Sequence, residues 1–320
     1  MRAVLLVLCA LFSFAGDAWA QAFPNKPIKI ICSFAPGGTV DITARAIGKE
    51  LAQQLGQPVI VDNRSGAGGN IGAEVVARSP ADGYTLLLTW NALHSISPEI
   101  YPRLNYDPNK DLIPVAPLVA FRQALVVNPS LPVHSVKELI EYARAQPGKL
   151  SFASPGNGTV AHLAGAMFGQ MAGINVTHIP YKGSTPALND MISGQVSFGF
   201  DHVPSVTNYI KSGRLRILAT TGTTRDPSFP DVPTMKEAGL ANYETSVWFG
   251  LAAPAQTPRE IVAKLNAEIG RGARASEFVK TMAGLGYEVL SGSPEDLGQM
   301  IRTDIERWQP IVRVTGAKAE

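Results

Sequence analysis

Charge and sulphur are both scarce in this chain of 320 residues. Charged side chains make up 17%, the formal net charge is +2, and no run of lysine or arginine occurs. Without a basic stripe there is no electrostatic footprint for a polyanion, which argues against a nucleic-acid partner. The two cysteines are Cys9 and Cys32. Cys9 lies in an apolar leader, so the mature chain keeps a single cysteine inside a strand. That excludes an intrachain disulfide and most metal sites, and no metal or cofactor is expected.

Catalytic signatures are missing too. There is no G-x-S-x-G, P-loop, H-E-x-x-H or C-x-x-C motif. The glycines at 66, 68, 69 and 72 approximate a dinucleotide fingerprint, but Ile71 stands where its third glycine belongs, and they precede the second helix of their unit. We read them as a tight turn. The five histidines are scattered, with none paired at metal-ligand spacing.

What is present begins with a targeting pattern. Arg2, an apolar stretch from Ala3 to Phe14 and Ala18-Trp19-Ala20 match a cleavable signal peptide over residues 1–20. Leu8 stands before Cys9 where a lipoprotein signal places a small residue, which argues against lipidation. The expectation is export to a bacterial periplasm. The rest is long enough for two lobes.

The mature chain alternates in type. Apolar runs at 28–34, 59–62 and 85–90 read as strands, with helices at 40–55 and 70–77 between them. In the first helix Val40, Ala44, Ile47, Leu51 and Leu55 form one apolar stripe, and Gly56 ends it. The pattern predicts α/β lobes with parallel strands. Residues 114–128 have no helical period and contain prolines, so they are expected to cross between lobes. A second βα series follows, and residues 244–253 cross back. This predicts a discontinuous first lobe, 21–119 with 245–320, a second lobe, 120–244, and a monomer that closes on a small ligand. Helix starts are marked at Ser135 to Glu138, Thr257 to Glu260 and Ser293 to Asp296.

Two glycine turns organise the candidate site. Phe34-Ala35-Pro36-Gly37-Gly38-Thr39-Val40-Asp41 leads the first strand into a helix, and Ser154-Pro155-Gly156-Asn157-Gly158-Thr159 does the same before the helix that carries His162. Glycine lets the backbone approach a ligand, and helix starts offer free N–H groups. Facing each other, the two turns would make a carboxylate trap. Asp41 fits a role at its helix start as well as ligand contact, and His162 fits loop bracing as well as ligand contact. Phe34 and Trp90, at strand ends, are candidates for an apolar wall. Asn91, Tyr181, Lys182 and Asp201, at or beside other strand ends, complete the candidate set.

These blocks, with Val61 to Gly72, Ala81 to Leu86, Tyr106-Asp107-Pro108, Pro180 to Gly183, Ala219 to Gly222, Asp231 to Thr234 and Trp248 to Leu251, resemble the Bug family. Its members are the substrate-binding proteins of tripartite tricarboxylate transporters. The resemblance covers nearly all of the mature chain. It implies a type II periplasmic-binding-protein fold, two Rossmann-like lobes joined by two crossing strands, and a solute receptor without catalysis. A small carboxylate would sit between the two glycine turns, and the partner would be the membrane subunits of a transporter. The same pocket would serve a sensor feeding a membrane histidine kinase, or an exported enzyme on a similar fold. The family usually has a small residue where Trp90 stands, a departure that suits an aromatic carboxylate of benzoate, phthalate or nicotinate type. With few cations in the turns, one or two carboxylates are expected rather than three.

Overall fold

The computed structural model describes residues 23–34, 36–181, 183–315 and 318, with the side chains of Thr39 and Thr315 outside that description. The leader and Lys182 therefore lie outside the described residues. Among the described residues ten strands, numbered in chain order, form one curled mixed sheet in the order β2-β1-β3-β9-β4-β7-β5-β6, with β8 and β10 also pairing β4.

Its first half holds β1 (Ile28–Cys32), β2 (Val59–Asn63), β3 (Thr85–Trp90) and β9 (Ser246–Pro254). β1 lies between β2 and β3, parallel to both, and β9 runs antiparallel to β3. Helix α1 (Thr39–Leu55) buries Ala44, Ile47 and Leu51 completely. Each such side chain removed from water is worth about 1.5–3 kcal/mol for the larger aliphatics. Gly56 closes the helix at φ 64°, its N–H on the Ala52 carbonyl, the left-handed stop that glycine permits. A turn of 3₁₀ helix (Ala67–Gly69) leads into α2 (Asn70–Ala77), and two short helices, α3 (Asn91–Ser95) and α4 (Ser97–Ile100), follow β3 directly. The sequence patterns did not separate these short helices from loop.

The second half holds β5 (Ser151–Ser154), β6 (Thr177–Pro180), β7 (Phe198–His202) and β8 (Arg216–Thr220). Around them lie α5 (Val136–Ala145), α6 (Val160–Ala172), α7 (Ser184–Ser193) and α8 (Val203–Lys211). The last part of the chain, α9 (Arg259–Ala273), α10 (Ser276–Gly284), β10 (Glu288–Val289) and α11 (Pro294–Thr315), returns to the first half. There β10 pairs with β4 and α9 packs on α1.

Strand β4 (Leu112–Val127) belongs to both halves. Up to Arg122 it pairs with β9, and from Gln123 onward with β7 and β8. The register against β9 shifts between Pro114 and Ala116 and between Pro117 and Val119, as expected of residues that cannot donate to a ladder. At the changeover Gln123 donates its N–H to Thr221 Oγ1 at 3.0 Å, and Thr221 donates its N–H back to the Gln123 carbonyl at 2.9 Å. The Thr221 hydroxyl then donates to the Thr245 carbonyl at 2.5 Å. Both passages between the halves thus meet at one threonine.

Two of the three marked helix starts are capped by their serine, reciprocally only at Ser293, since the Glu138 carboxylate accepts from His134 N–H. Ser135 Oγ accepts from Glu138 N–H, and Ser293 Oγ from Asp296 N–H, whose carboxylate accepts from Ser293 N–H. The third is different: Thr257 donates its hydroxyl to the Pro254 carbonyl, and Pro258 takes the cap position.

Candidate functional site

The C-terminal ends of β1, β3, β5 and β7 point at a common cavity of about 280 Å³ between the halves. This is at the small end for ligand pockets. The first half contributes Phe34, Val40, Trp90 and Asn91, and the second contributes Asn157, Gly158, Thr159 and Asp201. Phe121 and Gln123, at the changeover of β4, and Val247 and Phe249 of β9 also line it. Trp90 is 6% exposed and meets Phe34 edge to face, with ring centroids 4.9 Å apart. Phe121 touches Phe249 in the same way at 5.2 Å. Much of the cavity wall is therefore aromatic.

Gly69 sits directly against the Trp90 indole at φ 96°, where a Cβ would collide with the ring. The glycine-rich turn before α2 thus makes room for the wall, and its Gly68 lines the cavity.

Side chains brace both glycine turns internally. Asp41, 3% exposed, accepts from Gly37 N–H, Arg45 Nε and Asn63 Nδ2, each at 2.9 Å. Burial alone would raise its pKa, but these bonds win and hold the carboxyl below its usual range. In the second turn Thr159 caps α6, accepting from His162 N–H at 3.2 Å and donating to the Gly156 carbonyl at 2.8 Å. Gly158 donates its N–H to His162 Nδ1 at 3.1 Å. The proton of the neutral ring is then on Nε2.

His162 stacks on His178 at 3.8 Å and 7°, and His178 Nε2 lies 2.7 Å from the Ser154 hydroxyl. Burial pushes His162 down to about 4; burial and then the neighbouring His162 push His178 to about 3. Ser154 is wholly buried and donates to the Gly156 carbonyl at 3.0 Å. This serine and histidine pair supports the turn from beneath.

The remaining N–H groups suit an anion. Val40 at the start of α1, and Asn157, Val160 and Ala161 at the start of α6, have no acceptor among the described residues. They carry the positive end of each helix dipole. Among the described residues no lysine or arginine lines the cavity. The one carboxyl among the described lining residues, Asp201, is held above its usual range by burial.

The match to known proteins follows this geometry. A family model described as "Tripartite tricarboxylate transporter family receptor" matches residues 43–317. The chain belongs to that family. The receptor is 38% identical to Protein BugT of Bordetella pertussis over 319 residues, covering 99% of this chain and 98% of that one. Rpa4515 of R. palustris, solved with adipate, superposes with a TM-score of 0.80 at 36% identity over 92% of this chain and 99% of its own. MatC (Rpa3494) from Rhodopseudomonas palustris, solved with malate, gives 0.77 at 33% over 91% and 100%. The fold is that of the periplasmic binding proteins, and the receptor is a solute-binding protein of the Bug type.

Of the residues expected in the receptor's site, Phe34, Trp90, Asn91, Asn157, Gly158, Thr159 and Asp201 line the cavity. Gly37, Gly38, Asp41, Ser154, Gly156, His162 and Tyr181 do not. Asp41, Ser154 and His162 are turned into the turns they brace, and Tyr181 donates its hydroxyl to Asp190 at 2.7 Å. The Thr39 side chain and Lys182 lie outside the described residues. Sequence reasoning missed Ile100 and Tyr101 at the end of the short helices after β3, Phe121 and Gln123 on β4, Ser184 at the start of α7, and Phe249. Only the position of the crossing strand hinted at Phe121 and Gln123.

Proposed function

We propose that the receptor is exported to the periplasm and holds a small mono- or dicarboxylate, with an aromatic one well suited, in the cavity between its lobes. It then delivers that ligand to the membrane subunits of a tripartite tricarboxylate-type transporter. The observation that carries this reading is the set of N–H groups at the starts of α1 and α6 without an acceptor among the described residues, beside a cavity walled in part by Phe34, Trp90, Phe121 and Phe249. A carboxylate between two helix starts is stabilised by dipoles that are already oriented. The relatives solved with adipate and malate support the ligand class.

The chain passes between the lobes at the Thr221 junction, which suits a hinge that opens and closes over the cavity. The test is a thermal-shift titration of the mature protein with adipate, malate and benzoate. A carboxylate at about 100 times its Kd adds roughly 2.7 kcal/mol to stability. At least one of the three should raise the melting temperature in proportion to the logarithm of its concentration. No shift with any of them, up to millimolar concentration, contradicts the proposal.

A further inference from the structure

Three side-chain oxygens on residues that line the cavity have no donor among the described residues: Asn91 Oδ1, Gln123 Oε1 and Asp201 Oδ2. All three are acceptors. Flipping the Asn91 amide would not help, because its Nδ2 already donates to the Ser246 carbonyl at 2.9 Å. Asp201 is fixed as well. Its Oδ1 accepts from His202 N–H at 2.7 Å and from the Ser184 hydroxyl at 3.2 Å, leaving Oδ2 alone. Buried acceptors left unmade are costly, and such groups in native proteins usually find a partner.

A ligand built only of carboxylates and hydrocarbon cannot supply that partner. It brings further acceptors, and a second carboxylate would meet Asp201 in a wall where, among the described residues, no cationic side chain offsets it. All three atoms are shielded from water, so a donor reaches them only from a group that the wall closes around. The cavity therefore has complementary needs in different parts: an anion at the unpartnered N–H groups, a ring against Phe34 and Trp90, and a donor near Asp201 and Gln123.

We propose that the receptor's ligand is a hydroxy- or amino-substituted aromatic monocarboxylate, and that Asp201 is the residue that selects its donor group. The proposal rests on the carboxylate-receptor reading above and narrows it. Asp201 acts by accepting a hydrogen bond, so the preference belongs to the ligand's donor and not to its size.

Isothermal titration calorimetry at pH 7.5 with benzoate, 3-hydroxybenzoate, 4-hydroxybenzoate, 4-aminobenzoate and terephthalate tests this, on the wild-type chain and on Asp201→Ala and Asp201→Asn. The best donor-bearing probe should bind about tenfold more tightly than benzoate, the worth of one good buried hydrogen bond. In Asp201→Ala that advantage should fall to about threefold or less while benzoate itself still binds, which also reports an intact fold. If Asp201→Ala no longer binds benzoate, Asp201→Asn carries the comparison, and loss of at least half the logarithmic advantage is expected. Donor-bearing probes no better than benzoate, terephthalate binding tightest, or an unchanged preference in the informative variant would each overturn the proposal. Carboxylate binding without donor preference overturns this inference alone, whereas no binding of any carboxylate overturns the reading beneath it as well.

Discussion

Gly158 of the second lobe packs against Ile100 of the first so closely that a Cβ at Gly158 would collide with the Ile100 side chain. The glycine also sits at φ 72°, a conformation that L side chains seldom adopt. Space at this turn is thus taken by the opposite lobe.

Gly158→Ala is accordingly expected to fold, with a modest loss of about 1–2 kcal/mol from the left-handed backbone, and to resist closure. Small-angle scattering with a carboxylate that compacts the wild type should show little or no compaction of the variant. Equal compaction in both would mean that Ile100 simply yields.

The stacked pair His162 and His178 predicts a pH effect. Free histidine titrates near 6.5, whereas burial holds these two near 4 and 3. As the pH drops below 6.5 the unfolded chain takes up protons that the folded chain refuses, so their contribution to stability is lost on acidification. Asp304, raised by burial to about 6, acts in the opposite direction, because an acid that stays protonated in the fold gains stability as the pH falls. The informative quantity is therefore a difference. Between pH 7 and 5, His162→Asn/His178→Asn should lose less melting temperature than the wild type, even if it starts lower. Parallel curves would contradict the assignment.

Asp41→Asn removes an ionised acceptor from three donors, Gly37 N–H, Arg45 and Asn63. Charge-assisted bonds of this kind are worth about 1.5–3 kcal/mol, and part of that should be lost in urea unfolding. Because Asp41 does not line the cavity, binding should weaken only as far as the turn loosens. A neutral effect on stability would show that the turn holds without its clamp.

Trp90→Leu keeps an apolar wall but removes the ring that meets Phe34. Aromatic pairing contributes about 0.5–1.5 kcal/mol beyond area, so benzoate should lose roughly threefold to tenfold in affinity relative to adipate. An unchanged ratio of the two affinities would place Trp90 in the core alone.

The sequence made several of these elements legible. The apolar stripe of α1, its glycine stop, the crossing strand with its prolines and two serine caps all rest on local chemistry that a linear reading can follow. The braces were half visible: Asp41 and His162 stood at helix starts, where a role in the turn or toward a ligand was open, and burial with three bonded partners places Asp41 within its turn. The pairing of Ser154 with His178 was hidden because β5 and β6 are parallel neighbours joined through a helix, so only tertiary register brings the two together. The part of the wall built by Ile100 and Tyr101 was hidden for another reason. Helices of four or five residues leave too little period to read, and which side chain faces a cavity depends on packing that no local pattern encodes.

The central claim is that helix-start N–H groups grip an anion without a described cation in the wall. It is tested most directly by calorimetry of paired isosteres, benzoate against benzamide and adipate against adipamide, on the mature protein. The account predicts binding of at least one carboxylate and a loss of about 100-fold or more for its amide, in line with charge-assisted bonds worth about 1.5–3 kcal/mol each. Equal affinity within a pair that binds, or tighter binding of the amide, would contradict it.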